Sequence, residues 1–280
     1  MDAIQADWLA LCRGASEQII AMLAERPSTA ERVRTTGARG AGGDQTLMID
    51  EAAEAIVFAH LSALHDRGAR FTALSEERGE VHYGDGPVLV VIDPIDGSLN
   101  AKRGMAPYAV SLAVADGPTM ADVVFGYVRD LARGEEWAAR RGGGATLDGR
   151  PLATDAAERR TRDGRLELLA VESADPRWVS AAAPALEQLA HRLRAIGSIA
   201  LALCQVAGGR ADAMATLWRT RAVDAAAGQL IVREAGGAVA FGAPGGPLAA
   251  PLDLSSRYAL AAAREARALE DLRALSTWET

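Results

Sequence analysis

Apolar positions recur at helical spacing through residues 3–26, where Ile4, Trp8, Leu11, Ile19, Met22 and Leu23 share one face and Pro27 closes the run. Such a stripe predicts an amphipathic helix laid on a core. Residues 48–67 repeat the pattern, with Ile49, Ala53, Ile56, Val57, Leu61 and Leu64 on one side. The period then shortens. Residues 71–74 and 88–92 are brief apolar runs, the second of them β-branched, and read as buried strands. Between them Tyr83-Gly84-Asp85-Gly86-Pro87 reads as a turn. Residues 109–115 and 121–128, turned by Asp116-Gly117-Pro118, lead to a hairpin across 135–147 and the turn Asp148-Gly149. Together they form an antiparallel meander rather than a βαβ repeat. Further on, residues 166–171 read as a strand and 178–193 as a helix. Ile196-Gly197-Ser198 opens a helix through residue 206, and 213–217 is a strand. Asp224 starts a helix over 225–233 that Gly236-Gly237 stop. Two strands within 238–263 and a helix over 264–277 complete the pattern, which is that of an α+β protein. Residues 155–165 are charged and loop-like, so the expected lobes are 1–153 and 154–280. The glycine-rich residues 35–43 read as a connector or a mobile lid.

Composition narrows the function classes. The 280 residues are 49% apolar, enough for one large domain or two fused lobes. The net charge of −7 weighs against nonspecific nucleic-acid binding by the whole surface, and leaves room for a small cationic pocket. Cys12 and Cys204 lie in apolar helical contexts without metal spacing, which points to a reduced, cytoplasmic setting. Residues 1–7 carry acids and no basic segment, so no signal peptide is expected. No apolar run reaches about 18 residues, so no membrane span is expected.

The chemistry concentrates at Asp93-Pro94-Ile95-Asp96-Gly97-Ser98, which follows the β-branched run. Proline supplies no N–H, so the strand is expected to stop at Asp93. Two carboxylates on one tight turn repel each other, and a divalent cation between them relieves that repulsion. Hard oxygen ligands suit Mg²⁺ or Mn²⁺. Gly97 permits close approach of a ligand, and a helix opening at Ser98 would face an anion with free N–H groups. The stretch therefore suggests metal-assisted chemistry on a phosphate ester, although Asp-Pro and Asp-Gly are also ordinary turn formers. Asp50 and Glu51 read as first-turn acids of their helix.

This segment resembles the hallmark of the inositol monophosphatase family, Asp-Pro-Ile/Leu-Asp-Gly-Ser/Thr. Other segments match in the family's order: Asp44 and Asp50, then Ser75-Glu76-Glu77, and later Asp224-Ala225-Ala226-Ala227-Gly228 with Glu234-Ala235-Gly236-Gly237. The resemblance spans residues 44–241. It implies a layered αβαβα sandwich, frequent homodimers, inhibition by Li⁺ and two or three Mg²⁺ ions at the site. One ion would rest on Glu76, Asp93 and the carbonyl of Ile95, a second on Asp93, Asp96 and Asp224, and a weaker third near Glu76. Asp44 and Ser98 would position the attacking water, the amides of Gly97 and Ser98 would hold the phosphate, and Gly197 and Ser198 would border the substrate.

Departures from the family pattern bear on the substrate. The loop before Asp44 is glycine-rich, Ala101 follows Asn100, and residues 100–104 are similar to the archaeal-type branch with both fructose-1,6-bisphosphatase and inositol monophosphatase activity. An acid that binds sugar hydroxyls in the inositol-specific branch is replaced, in an ungapped count, by Leu217. The neighbouring Arg219 and Arg221 are candidates to grip a second phosphate. One of the two is expected to face the pocket. The expected function is hydrolysis of small phosphate monoesters, fructose 1,6-bisphosphate or inositol 1-phosphate. The alternatives are a nucleotide 3′-phosphate or NADP phosphatase, and a regulatory protein acting on transcription machinery. No membrane or nucleic-acid partner is expected.

Overall fold

A computed structural model describes residues 2–39, 45–155, 157–273 and 275. The first helix, α1 (Trp8–Ala24), begins later than the apolar stripe predicts, because the Asp7 carboxylate caps it by accepting the Ala10 N–H at 3.0 Å. A short α2 (Thr29–Arg32) follows. Residues expected to form a loop are instead a strand, β1 (Thr35–Arg39), paired antiparallel with β2 (Gln45–Leu47). The glycines that suggested a lid hid this pairing. Helix α3 (Met48–Asp66) leads to β3 (Phe71–Ser75) and β4 (Gly79–Tyr83), an edge hairpin closed by residues 76–78 and not by the expected turn at 83–87.

β5 (Leu89–Asp96) does not stop at Asp93. It runs on to Asp96 through a register shift against β6 between Asp93 and Asp96, and this irregularity accommodates Pro94. Helix α4 (Ser98–Arg103) and the meander β6 (Ala109–Ala115), β7 (Val123–Asp130), β8 (Glu136–Arg140), β9 (Gly144–Leu147) and β10 (Arg150–Pro151) come next. Then follow β11 (Leu166–Glu172), α5 (Pro176–Leu189), β12 (Ala190–Arg194), α6 (Ile199–Ala207), β13 (Ala213–Thr216), α7 (Ala222–Glu234), β14 (Ala238–Phe241), β15 (Leu260–Ala263) and α8 (Ala266–Leu272). The helix expected over 178–193 thus ends early. Ala190 takes extended geometry and pairs with Leu166, making an edge strand whose exposed His191 and Arg192 carry no apolar period.

Besides the two-stranded β1-β2 pair, two larger sheets form, ordered β10-β9-β8-β7-β6-β5-β3-β4 and β12-β11-β13-β15-β14. The first is antiparallel except where β3 runs parallel to β5. Three separate cores give the layering. α1 and α3 cover the outer face of the first sheet, α6 and α7 fill the space between the sheets, and α5 and α8 cover the outer face of the second. This is the αβαβα arrangement. The run Ala225-Ala226-Ala227-Gly228 is small because α7 is gripped on several sides. A Cβ on Gly126 of β7 would lie 2.7 Å from the Ala227 carbonyl oxygen, so helix and sheet meet backbone to backbone. That close approach fixes the N-terminal end of α7, and Asp224 with it. Among the described residues no helix is long and apolar enough to cross a membrane.

Candidate active site

The carboxyl end of β5 sits at the meeting of both sheets. Asp93 is buried there, and one of its oxygens accepts the Ile95 N–H at 3.0 Å. Asp96 accepts the Ser198 hydroxyl at 2.5 Å and the Ala200 N–H at 2.7 Å, so it closes the N-terminus of α6 from across the interface. Gly97 has φ 93°, and a Cβ there would stand 2.8 Å from the Gly197 carbonyl oxygen. The two turns therefore touch through bare backbone, and Asn100 ties them by donating to the Pro107 and Ile196 carbonyls at 2.9 and 3.0 Å. α4 is held from the other side by Arg32, which donates to the Ala101 carbonyl at 3.1 Å.

Glu76 comes from the β3–β4 turn and Asp224 from the first turn of α7. Asp224 is not the start of the helix, as the sequence suggested, but the third residue within it. Its Oδ2 accepts the Thr220 hydroxyl at 2.7 Å and the Arg221 N–H at 3.1 Å, which aims the carboxylate at the interface. Glu76, Asp93 and Asp224 converge, with one carboxylate oxygen of each lying within 4.8 Å of the others. Burial, followed by repulsion from Glu76, Asp96 and Asp224, raises Asp93 well above the carboxylate range. Burial and the nearby Asp224 charge push Asp96 up to about 7. Glu76 also rises to about 7, chiefly through burial, against the pull of the Arg221 guanidinium. A buried, mutually repelling set of oxygen donors fits a hard divalent cation, whose charge would reverse these shifts.

A cavity of ≈ 710 Å³ opens over this cluster, lined by Asp50, Glu76, Glu77, Asp93, Ile95, Asp96, Gly97, Ser98 and Arg221, with Lys102 and Arg103 on its α4 wall. A second cavity of ≈ 600 Å³ continues on the far side of Asp96 and Asp224 and includes Gly197, Ser198 and Arg221. Ser98 donates to the Ile95 carbonyl at 2.9 Å and to Asp50 at 3.3 Å. Burial, with repulsion from Glu77 and Glu76, lifts Asp50 to about 7.

Of the residues expected at the site, Glu76, Asp93, Ile95, Asp96, Gly97, Ser98, Gly197, Ser198, Arg221 and Asp224 all border one of these cavities. Asp44 lies outside the described residues. Arg219 lines neither cavity, while Arg221 lines both. Leu217 is not turned to the site at all but is buried in the outer core of the second sheet. Asp50 and Glu77 stood in the segments that match the family but were given no place at the site, and Lys102 and Arg103 were not expected there. Asp50 carried a signal only in its family match; in the structure it lies buried in the first turn of α3.

The model of the inositol monophosphatase family matches residues 6–279. A fructose-1,6-bisphosphatase/inositol-1-monophosphatase of Methanothermobacter thermautotrophicus is 35% identical over 237 residues, 80% of each chain. A Nus factor SuhB of Escherichia coli K12 is 35% identical over 195 residues, 68% of this chain and 69% of the other. The crystal structure of an inositol monophosphatase-fructose 1,6 bisphosphatase superposes with a TM-score of 0.81 at 23% identity, covering 96% of this chain and all of that one, a likeness of fold. With its family match reaching across nearly the whole sequence and its acids gathered where the two sheets meet, the chain belongs to the inositol monophosphatase family.

Proposed function

We propose that the chain is a Mg²⁺-dependent phosphatase of small phosphate monoesters, with fructose 1,6-bisphosphate and inositol 1-phosphate as leading substrates and Mn²⁺ as an alternative ion. The observation that carries this reading is the convergence of Glu76, Asp93 and Asp224 beneath a cavity that also holds Asp96 and the Asp50–Ser98 pair. Glu76, Asp93 and the Ile95 carbonyl would hold one ion, and Asp93, Asp96 and Asp224 a second, with a weaker third near Glu76. When bound there, such ions would supply charge neutralisation on the phosphoryl oxygens and lower the pKa of water.

The chain's own groups do the rest. Asp50 and Ser98 orient the attacking water: the Ser98 hydroxyl is held between Asp50 Oδ1 and the Ile95 carbonyl, so its lone pairs are aimed by fixed partners. Asp44, which the sequence put in this role, is replaced in the proposal by Asp50. The amides of Gly97 and Ser98 hold the phosphate, with Lys102 and Arg103 adding positive charge on the same wall. Gly197 and Ser198 border the alcohol side. Arg221 takes a second anionic group, which favours the bisphosphate.

The lobes 1–153 and 154–280 meet along this site, since Glu76, Asp93 and Asp96 come from one and Ser198, Arg221 and Asp224 from the other. From the family resemblance we carry over inhibition by Li⁺, a homodimer and a cytoplasmic location. Relatives named as Nus factors give a regulatory reading, but the full set of carboxylates favours catalysis. Phosphate release from a panel of sugar, cyclitol and nucleotide monoesters, with and without Mg²⁺, tests the proposal. Mg²⁺-dependent turnover of fructose 1,6-bisphosphate or inositol 1-phosphate is expected, and no release from any ester would overturn it.

A further inference from the structure

In the second sheet β11 lies between β12 and β13 and runs parallel to both, so the chain leaves β11 to one side and returns on the other. A crevice opens beyond the carboxyl ends of strands wound this way, and ligands of such sheets sit in it. Here that crevice is the ≈ 600 Å³ cavity. Its near wall is Asp96, Asp224 and Arg221 of the acid cluster. Its far wall is of another kind. Trp178, in the first turn of α5, and Trp218, just after β13, stack with ring centroids 4.3 Å apart and planes 11° from parallel. The Arg177 guanidinium lies 5.6 Å from the Trp178 ring centroid.

Core packing does not account for Trp218. Its neighbour Leu217 is buried in the outer core, whereas Trp218 is 47% exposed beside Leu99, which is 62% exposed and lines the same cavity. A chain leaves a large apolar face open to water at a cost, and such faces mark ligand grooves and contact sites. Two stacked indoles are also stiff, so little freedom remains to be lost when a ligand lands on them. Polar partners share the wall. Ser173 lines it, and so does Asp175, whose carboxylate is fixed by the Arg177 N–H and guanidinium at 2.8–2.9 Å.

We propose that Trp218, backed by Trp178, is a specificity-determining platform that receives the ring of the esterified alcohol. The C–H face of the ring lies on the indole and its hydroxyls meet Ser173 and Asp175, so the site selects cyclic polyol phosphates over acyclic ones. The inference rests on the phosphatase reading only for placing the phosphate at the acid cluster.

Calorimetric titration of the Mg²⁺-saturated Asp50→Asn protein, which leaves the ester intact, measures binding without turnover. Adding Trp218→Ala should raise the Kd of inositol 1-phosphate about tenfold and move that of glycerol 2-phosphate by less than about twofold, as loss of one stacking contact requires. Trp218→Phe should recover most of the affinity. Trp218→Leu, which keeps apolar bulk without a π face, should not, and it serves if the alanine variant fails to fold. Equal weakening of both esters, no weakening, or a loss confined to a nucleoside 3′-phosphate would overturn the platform. So would an unchanged Kd accompanied by a shift in oligomeric state. Because these are binding constants, they stay separate from a failure of wild type to release phosphate, which would overturn the phosphatase reading instead.

Discussion

Arg221 ion-pairs with Glu76 while its other terminal nitrogen lies 3.2 Å from Asp224 Oδ1, so one guanidinium is wedged between two of the three converging carboxylates. The side chain thus occupies the same electrostatic niche that a divalent ion would fill, and the two compete for it. Arg221→Met should tighten the Kd for Mn²⁺, read by calorimetry, by roughly tenfold, since the ion no longer displaces or repels a fixed positive charge. The same variant should lose kcat/KM on fructose 1,6-bisphosphate more than on inositol 1-phosphate, because the freed guanidinium is what grips the second phosphate. A weaker affinity for Mn²⁺ would show that Arg221 supports the loaded site rather than standing in for the ion.

Asp96 is a second point of decision, because it serves both metal binding and the junction of the sheets through Ser198 and Ala200. Asp96→Asn retains an acceptor for those two donors. Its kcat should fall by roughly a hundredfold or more, the scale of losing a charge aimed at the reacting group, with an unchanged far-UV circular dichroism spectrum. Turnover near that of wild type would remove Asp96 from the machinery.

The distance between what the sequence showed and what it hid follows from how far each signal reaches along the chain. Asp93, Asp96, Gly97 and Ser98 announce themselves because a strand, a bulge and a helix start are compressed into one short stretch. Asp224 was legible only through its match to the family pattern; by its residues alone it read as an N-cap, and the small residues after it record the squeeze of α7 between two sheets. By its residues alone Asp50 was not separable from an ordinary first-turn acid, since its partner Ser98 lies far along the chain. A period of two puts Arg219 and Arg221 on the same side of an extended segment, so it cannot choose between them. The choice is made where that segment ends: Arg221 is the N-cap of α7 and reaches Glu76 and Asp224. β12 was hidden because an edge strand with exposed polar residues carries no apolar period.

The buried acids predict a pH dependence with a definite sign. Folding holds Glu76 at about 7 against its ordinary 4.5, and Asp96 at about 7 against 3.8. The unfolded chain releases these protons near the ordinary values, the folded chain only near 7. Between those limits the unfolded state binds fewer protons at these two groups, so their contribution to stability is greatest below about pH 4, falls as pH rises to about 7 and levels off above it. Divalent ions need the ionised carboxylates, so their affinity should climb across the same window. The melting temperature of chelator-treated protein should therefore be lower at about pH 8 than at about pH 5, and the gain from added Mg²⁺ larger at the higher pH. Metal-free protein that becomes more stable over this interval would contradict the assignment.

Glu54 on α3 lines neither of the two cavities, yet it holds the residues that flank Glu76. It is 1% exposed, and the turn that carries Glu76 hangs from it. Ser75 donates a short hydrogen bond to Oε1, the Arg78 N–H donates to the same oxygen at 3.1 Å, and the Arg78 guanidinium lies 3.2 Å from Oε2. The residues on either side of Glu76-Glu77 are thereby pinned to one carboxylate. Glu54→Ala strands those donors in a buried place and should cost about 2–3 kcal/mol. For a chain of this size that is a fall in Tm of roughly 4–10 °C. If Glu54 acts by positioning, its loss should also weaken Mn²⁺ binding by about 10- to 100-fold at temperatures where the variant remains folded, as removal of an outer partner of a metal ligand does. Glu54→Gln keeps an acceptor for Ser75 and Arg78 while giving up the ion pair, so its cation affinity should lie between those of wild type and the alanine variant. An alanine variant that melts early but binds Mn²⁺ as wild type does would confine Glu54 to holding the hairpin together.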